Sequence, residues 1–199
     1  MKRLRFKFRD RKIGFFACGE YGGQFERPHY HVLLFGMWFR DCVPFKKSVA
    51  GFQLYRSADL DSLWTLGHAD IGQLSFESAA YAARYVVDKI NGDPAAAHYA
   101  GRHPEFVRMS LRPAIGRRWF ERFSNDVYPD DFVVVRGRKG RTPLYYDKLL
   151  AEREAALLEE AKKARADSAI DLKSLRNRTP KRLAVREEVV RSRLNLYKK

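Results

Sequence analysis

This chain of 199 residues predicts an α+β fold, and three observations carry that prediction. Two apolar runs, Ile13 to Cys18 and Pro28 to Phe35, flank a turn-forming Tyr21-Gly22-Gly23 cluster and read as two strands of a hairpin. A segment from Phe76 to Ile90, capped by Ser75 and stopped by Asn91-Gly92-Asp93-Pro94, reads as a helix. From Asp147 onward the composition turns to Ala, Leu, Glu, Lys and Arg, a helix-forming mixture of low complexity.

Taken in order, residues 1–12 hold seven Lys or Arg against one acid, with Leu4 and Phe8 one helical turn apart, and suit a short helix. The strand Pro28–Phe35 is rich in β-branched and aromatic residues and is broken by Gly36. An irregular segment is expected up to about Ser57, because Pro44 and Gly51 interrupt it. A short helix over Asp59–Trp64 and a third strand over Gly67–Leu74 follow. In the helix from Phe76, a period of 3.6 assigns Phe76, Ala80, Ala83, Val87 and Ile90 to the core. Tyr81 and Tyr85 then form an i, i+4 pair on the opposite side, with Lys89 one turn further. Phe132–Arg136 reads as another strand, leading into the basic turn Gly137–Arg141. The expected division is a folded domain over residues 1–146 and a charged helical tail over 147–199, its last part (171–199) a basic arm with ten Lys or Arg against three acids.

A formal charge of +15 points to a polyanion, nucleic acid first and a membrane surface second. No apolar run approaches the roughly 18 residues of a membrane span and no signal-peptide core opens the chain, so a soluble, intracellular protein is expected. Cys18 and Cys42 are too few for a disulfide framework and should stay reduced. No glycine loop of nucleotide-binding type is present, which argues against ATP use within this chain.

The strand Pro28–Phe35 carries the chemistry. Side chains alternate between the faces of a strand, so His29 and His31 share one face. If Glu20 lies opposite His29 in the hairpin, a carboxylate and two imidazoles converge, with positions left open for water and a phosphate oxygen. That donor set suits Mg2+ or Mn2+ better than a closed zinc site. Two bland readings stand beside it: hydrogen-bonded core histidines, and a zinc site that includes Cys18. The exposed tyrosines either contact bases passively or attack a phosphate; a phosphotyrosine bond keeps a cut strand ready for rejoining. Between Arg102 and Phe123 the guanidinium groups of Arg108, Arg112, Arg117 and Arg118 interleave with Phe106, Trp119 and Phe120, a mixture that neutralises phosphates and stacks on unpaired bases.

Cys18-Gly19-Glu20-Tyr21-Gly22, Arg27-Pro28-His29-Tyr30-His31-Val32-Leu33-Leu34-Phe35-Gly36 and the segment Tyr81 to Lys89 resemble the replication initiators of microviruses, which are HUH endonucleases of rolling-circle replication. Pro104-Glu105-Phe106 and the segment Ser110 to Gly116 carry the same resemblance. It implies an antiparallel sheet flanked by helices, ferredoxin- or RRM-like, with Glu20, His29 and His31 as metal ligands. It implies that Tyr81 and Tyr85 alternate as nucleophiles, one holding the 5′ phosphate of the nicked origin, while Lys89 positions DNA. Arg84, Arg108, Arg112, Arg117, Arg118 and Trp119 are then the expected DNA contacts. The implied partners are single-stranded viral origin DNA, a host helicase and the replication machinery, in the cytoplasm of a bacterial host. Asp88 stands where the family has a basic residue, and Ala114 where it has Gly. Related proteins carry a further strand and helix ahead of the region where Met1 falls, so one sheet neighbour is expected to be missing, or the start to be assigned too late. The competing class is a non-catalytic single-stranded nucleic-acid binding protein with a ferredoxin-like sheet, whose binding is indifferent to chelator. A metallonuclease that activates water would cut DNA without a tyrosine adduct.

Overall fold

The structure is a computed structural model in which residues 1–22, 25–84 and 89–195 are described. They form an α+β architecture of antiparallel sheets and helices in two compact units, Met1–Ile115 and Gly116–Lys199.

The first unit opens with α1 (Lys2–Lys7) and continues into β1 (Gly14–Tyr21) and β2 (Pro28–Phe35). These two strands pair antiparallel along their whole length, from Gly14 opposite Phe35 to Tyr21 opposite Pro28. On its other side β1 pairs with β6 (Phe106–Met109), giving the order β2-β1-β6. Leu4, Ile13 and Phe39 are buried together and pack with Phe8, Leu34 and Leu60, so α1 seals one end of the sheet. Each such fully buried large apolar side chain contributes about 2 kcal/mol.

The segment expected to be irregular is a second sheet. β3 (Val43–Lys47) and β4 (Gln53–Arg56) pair antiparallel, and β4 also pairs with β5 (Ile71–Gly72). Pro44 did not prevent this, because β3 is the edge strand of the order β3-β4-β5 and the register shifts between Pro44 and Lys46. The third strand expected over Gly67–Leu74 shrinks to the two residues of β5. Between β4 and β5 lies α2 (Ala58–Leu63), whose amide at Leu60 donates to the buried Ser57 hydroxyl. Ser57 in turn donates to Asp41.

Helix α3 (Phe76–Arg84) begins at a reciprocal cap, in which the Ser78 amide donates to Ser75 Oγ (3.2 Å) and the Ser75 amide to Ser78 Oγ (2.8 Å). The apolar stripe predicted for it is not the buried one. Phe76 and Ala83 are exposed, whereas Ala82 is buried against the sheet. A helix lying close over a sheet buries its small side chains, which a count of apolar residues does not distinguish from large ones. Val87 lies outside the described residues, and Ile90 and Lys89 are not helical. The expected stop at Asn91–Pro94 also starts α4 (Pro94–Tyr99), with Pro94 in its first turn.

In the second unit, α5 (Arg117–Phe123) precedes the hairpin β7 (Phe132–Val135) and β8 (Arg138–Arg141). The residues read as a basic turn are therefore mostly strand, and the turn is Arg136-Gly137, both at positive φ. Helices α6 (Leu144–Arg153), α7 (Ala155–Ile170), α8 (Leu172–Arg176) and α9 (Pro180–Asn195) complete the chain as described. Leu149, Leu150, Leu158 and Ala161 from α6 and α7 are buried with Phe120, Val127 and Tyr128, so residues beyond 147 supply a core rather than only a tail. Arg165 reaches Asp131 and Asp147 within this unit, and Tyr128 donates to Asp147.

Candidate active site

The β1–β2 register sets Glu20 opposite His29 and Cys18 opposite His31, so all four side chains issue from one face of the sheet. Glu20 Oε1 lies 3.3 Å from His31 Nε2 and 3.8 Å from His29 Nδ1. The carboxylate is the most enclosed of the three, at 13% exposure against 27% for His31 and 54% for His29. A carboxylate oxygen shared between two imidazoles holds their nitrogens toward one side of the hairpin.

Gly22 makes room for this. A Cβ there would stand 2.5 Å from Cε1 and 2.8 Å from Nδ1 of His29, so only glycine lets that ring lie toward Glu20. The turn beyond it is held by the Gly22 amide donating to the Arg27 carbonyl.

Helix α3 covers the same face. The Cys18 thiol donates to the Ala82 carbonyl (3.5 Å), and burial pushes its pKa up. It is a packed, protonated thiol and a poor metal ligand. Beside Ala82, the ring of Tyr81 meets that of His31 edge-on with centroids 5.5 Å apart, while the tyrosine remains half exposed. Tyr81 thus lies at the flank of the helix against the histidine face, not on the side remote from the sheet. Tyr85 lies outside the described residues, as does the side chain of Arg84. Lys89 is exposed just beyond.

Sequence reading missed the contact that fixes the chain after Lys89. The Ile90 amide donates to the buried Tyr99 hydroxyl (3.0 Å), which itself donates to buried Glu105 at the entry to β6. Burial and that carboxylate hold the Tyr99 phenol above its ordinary pKa. No spacing rule flags such a pair, since a tyrosine six residues before a glutamate has no characteristic pattern.

The remaining expected DNA contacts fall in both units. Arg108 and Arg112 are exposed in the first. In the second, Arg118 is exposed, Arg117 donates to Glu121 (2.8 Å), and Trp119 stacks on Tyr146 with ring planes 8° apart.

In type, one carboxylate and two imidazoles on one face fit a divalent cation that keeps open positions. In arrangement, Glu20 contacts the imidazoles directly, and among the described residues no group of three His, Cys, Asp or Glu is set to hold a metal ion.

Residues 1–90 match the family model of the replication-associated protein ORF2. These residues belong to that family. The matched segment holds Glu20, His29, His31, Tyr81, Tyr85 and Lys89, and the match bears out the resemblance to phage replication initiators. The chain is 33% identical over 138 residues to replication-associated protein VP4 of Bdellovibrio phage phiMH2K, a match covering 68% of this chain and 42% of that protein. It is 33% identical over 147 residues to replication-associated protein ORF2 of Spiroplasma virus 4, covering 71% of this chain and 44% of that protein. Replication-associated protein ORF4 of Chlamydia phage 1 is 26% identical over 146 residues, 70% of this chain and 36% of that protein. The chain therefore spans less than half the length of these curated relatives. No solved structure gives a significant match. Among the described residues, no helix is long and apolar enough to cross a membrane.

Proposed function

We propose that this ORF2-family chain acts in phage DNA replication as the initiator that nicks and rejoins single-stranded origin DNA through a tyrosine-linked intermediate. The observation that carries the reading is the ring of Tyr81 against His31, on the face where Glu20 joins His29 and His31.

In the proposed reaction a tyrosine hydroxyl of the Tyr81/Tyr85 pair attacks the scissile phosphorus. An Oη–P bond forms as the P–O3′ bond breaks, the phenolic proton leaves to solvent or a nearby base, and the departing oxygen is protonated to a free 3′ hydroxyl. One phosphodiester replaces another, so the energy for rejoining is retained without a nucleotide cofactor. Attack by the second tyrosine on the regenerated origin, and then by a 3′ hydroxyl on the first linkage, closes the displaced strand. Glu20, His29 and His31 would hold Mg2+ or Mn2+, which supplies Lewis acidity at the scissile phosphate when bound. Lys89 positions the strand by its charge, and Arg84, Arg108, Arg112, Arg117 and Arg118 neutralise phosphates. Trp119, committed on one side to Tyr146, offers its remaining surface to a base. The setting is the cytoplasm of a bacterial host, with a host helicase opening duplex ahead of the nick.

Incubation of the chain with end-labelled single-stranded phage genome and Mn2+, followed by a denaturing gel and peptide mapping, tests this. The expected product is a covalent adduct at Tyr81 or Tyr85 that disappears with chelator. An adduct that persists in the Tyr81→Phe, Tyr85→Phe double variant excludes the mechanism, and binding indifferent to chelator without cleavage identifies a passive nucleic-acid binder instead.

A further inference from the structure

The face of the sheet opposite the histidines has no part in the chemistry proposed above, yet it carries a row of aromatic rings open to solvent. Register fixes the row: Gly19 of β1 stands between Tyr30 of β2 on one side and Phe106 of β6 on the other. The Phe106 ring lies over the glycine, where a Cβ would come within 2.5 Å of it. Tyr30 sits 6.2 Å from Phe106 and 5.2 Å from Trp64, centroid to centroid, so three rings run in succession across the sheet. Tyr30 is 49% exposed, Phe106 40%, and Val32 in the next row 47%. Beside Val32, across Ala17, stands Arg108, exposed and without a carboxylate partner among the described residues.

An apolar row of this kind costs free energy in water unless something covers it. Its chemistry specifies the cover. The contacts are edge-on or tilted rather than stacked, which leaves ring faces unused, and an unpaired guanidinium adjoins them on a chain of net charge +15. Flat, sequence-tolerant π surfaces next to a cation match unpaired bases and their phosphates.

We infer that Tyr30, Phe106 and Trp64, with Arg108, form a second binding surface for single-stranded DNA, on the face of the sheet away from Glu20, His29 and His31. Tyr30 lies between the two histidines in sequence, so one strand presents the imidazoles on one face and the stacking ring on the other. A segment of DNA on this surface is held but not cut, and its binding is independent of metal and of the proposed nicking.

The test uses the full chain and a fluorescein-labelled oligothymidylate, with EDTA present to remove any metal-dependent contribution. Anisotropy titration of Tyr30→Ala with Phe106→Ala should show affinity reduced about tenfold per ring lost, while Tyr30→Phe with Phe106→Tyr stays near wild type. Because loss of Phe106 packing over Gly19 can itself disturb the sheet, the unmodified protein is also photocrosslinked to 5-iodouracil oligonucleotide. Adducts mapping to Tyr30, Trp64 or Phe106 support the inference. Crosslinks that avoid all three rings overturn it, as does undiminished affinity in the folded alanine variant. Sedimentation showing a dimer that DNA does not dissociate, lost in the same variant, assigns the row to self-association and also overturns it. Loss of the tyrosine adduct in the nicking assay with this binding intact counts only against the proposed cleavage.

Discussion

Tyr81 meets His31 edge to face, ring centroids 5.5 Å apart and planes at 82°. The contact joins α3 to β2, and it is held in place by the next residue, since buried Ala82 accepts the Cys18 thiol from β1. Rotating the helix to carry Tyr81 away would pull Ala82 off the sheet. A tyrosine fixed this way has its ring orientation set by packing while half its surface stays open to a substrate.

Tyr81→Phe separates the ring from the hydroxyl. The contact with His31 belongs to the ring, so thermal stability should change by no more than about 0.5 kcal/mol. The covalent DNA adduct should vanish from the peptide containing residue 81 and persist only through Tyr85. Mass mapping of the adduct in each single variant and in the double variant reads this directly; an unchanged adduct at the position-81 peptide would refute it.

Gly22→Ala should act on His29 rather than on the fold. The new methyl collides with the imidazole, which is a half-exposed side-chain end and can swing outward. The expected result is a folded protein with near-normal melting and a loss of Mn2+ affinity of about tenfold, the order found when the groups that orient a metal ligand are changed. Calorimetric titration with Mn2+ against circular dichroism melting distinguishes this from global unfolding.

How much of this was legible beforehand depended on whether the determining contacts were local. The pairing of Glu20 with His29 followed from the turn between two apolar runs, because hairpin register propagates residue by residue. Ser75 as a cap was legible for the same reason. The buried stripe of α3 was not, since it depended on how closely the helix approaches Cys18. The β3–β4 hairpin was hidden by Pro44, which is harmless only on an edge strand at a bulge, and edge position is set by the assembled sheet. The bracket of Ile90, Tyr99 and Glu105 joins three places whose proximity no local pattern encodes.

Ser75→Ala tests the cap. It removes the acceptor of the Ser78 amide at the start of the helix that bears Tyr81, and should cost about 1 kcal/mol. Hydrogen exchange should quicken at Ser78 and Ala79, whose amides bond to Ser75, and Ser75→Asp should restore protection. Equal exchange in wild type and Ser75→Ala would mean that α3 is held by the sheet alone.

Arg165 governs the acid stability of the second unit. Its guanidinium donates to both Asp131 and Asp147, with Nη1 2.6 Å from Asp147 Oδ2 and Nη2 2.6 Å from Asp131 Oδ1, and these bonds hold both carboxyl groups below their ordinary pKa. A carboxylate whose folded pKa is depressed contributes stability that is complete above its unfolded value, about 3.9, and is lost as pH falls through the lower folded value. The wild-type unit should therefore be insensitive to pH between neutrality and about pH 5 and weaken steeply below about pH 4. Arg165→Gln leaves two adjacent carboxylates without their cation, at a cost of about 3 kcal/mol at neutral pH. Protonation relieves that repulsion, so the gap between variant and wild type should narrow as the solution is acidified. Urea melts followed by far-ultraviolet circular dichroism from pH 7 to pH 3 measure the gap. A gap that stays constant across that range would show that Arg165 stabilises the unit by packing its aliphatic stem and not through the paired aspartates.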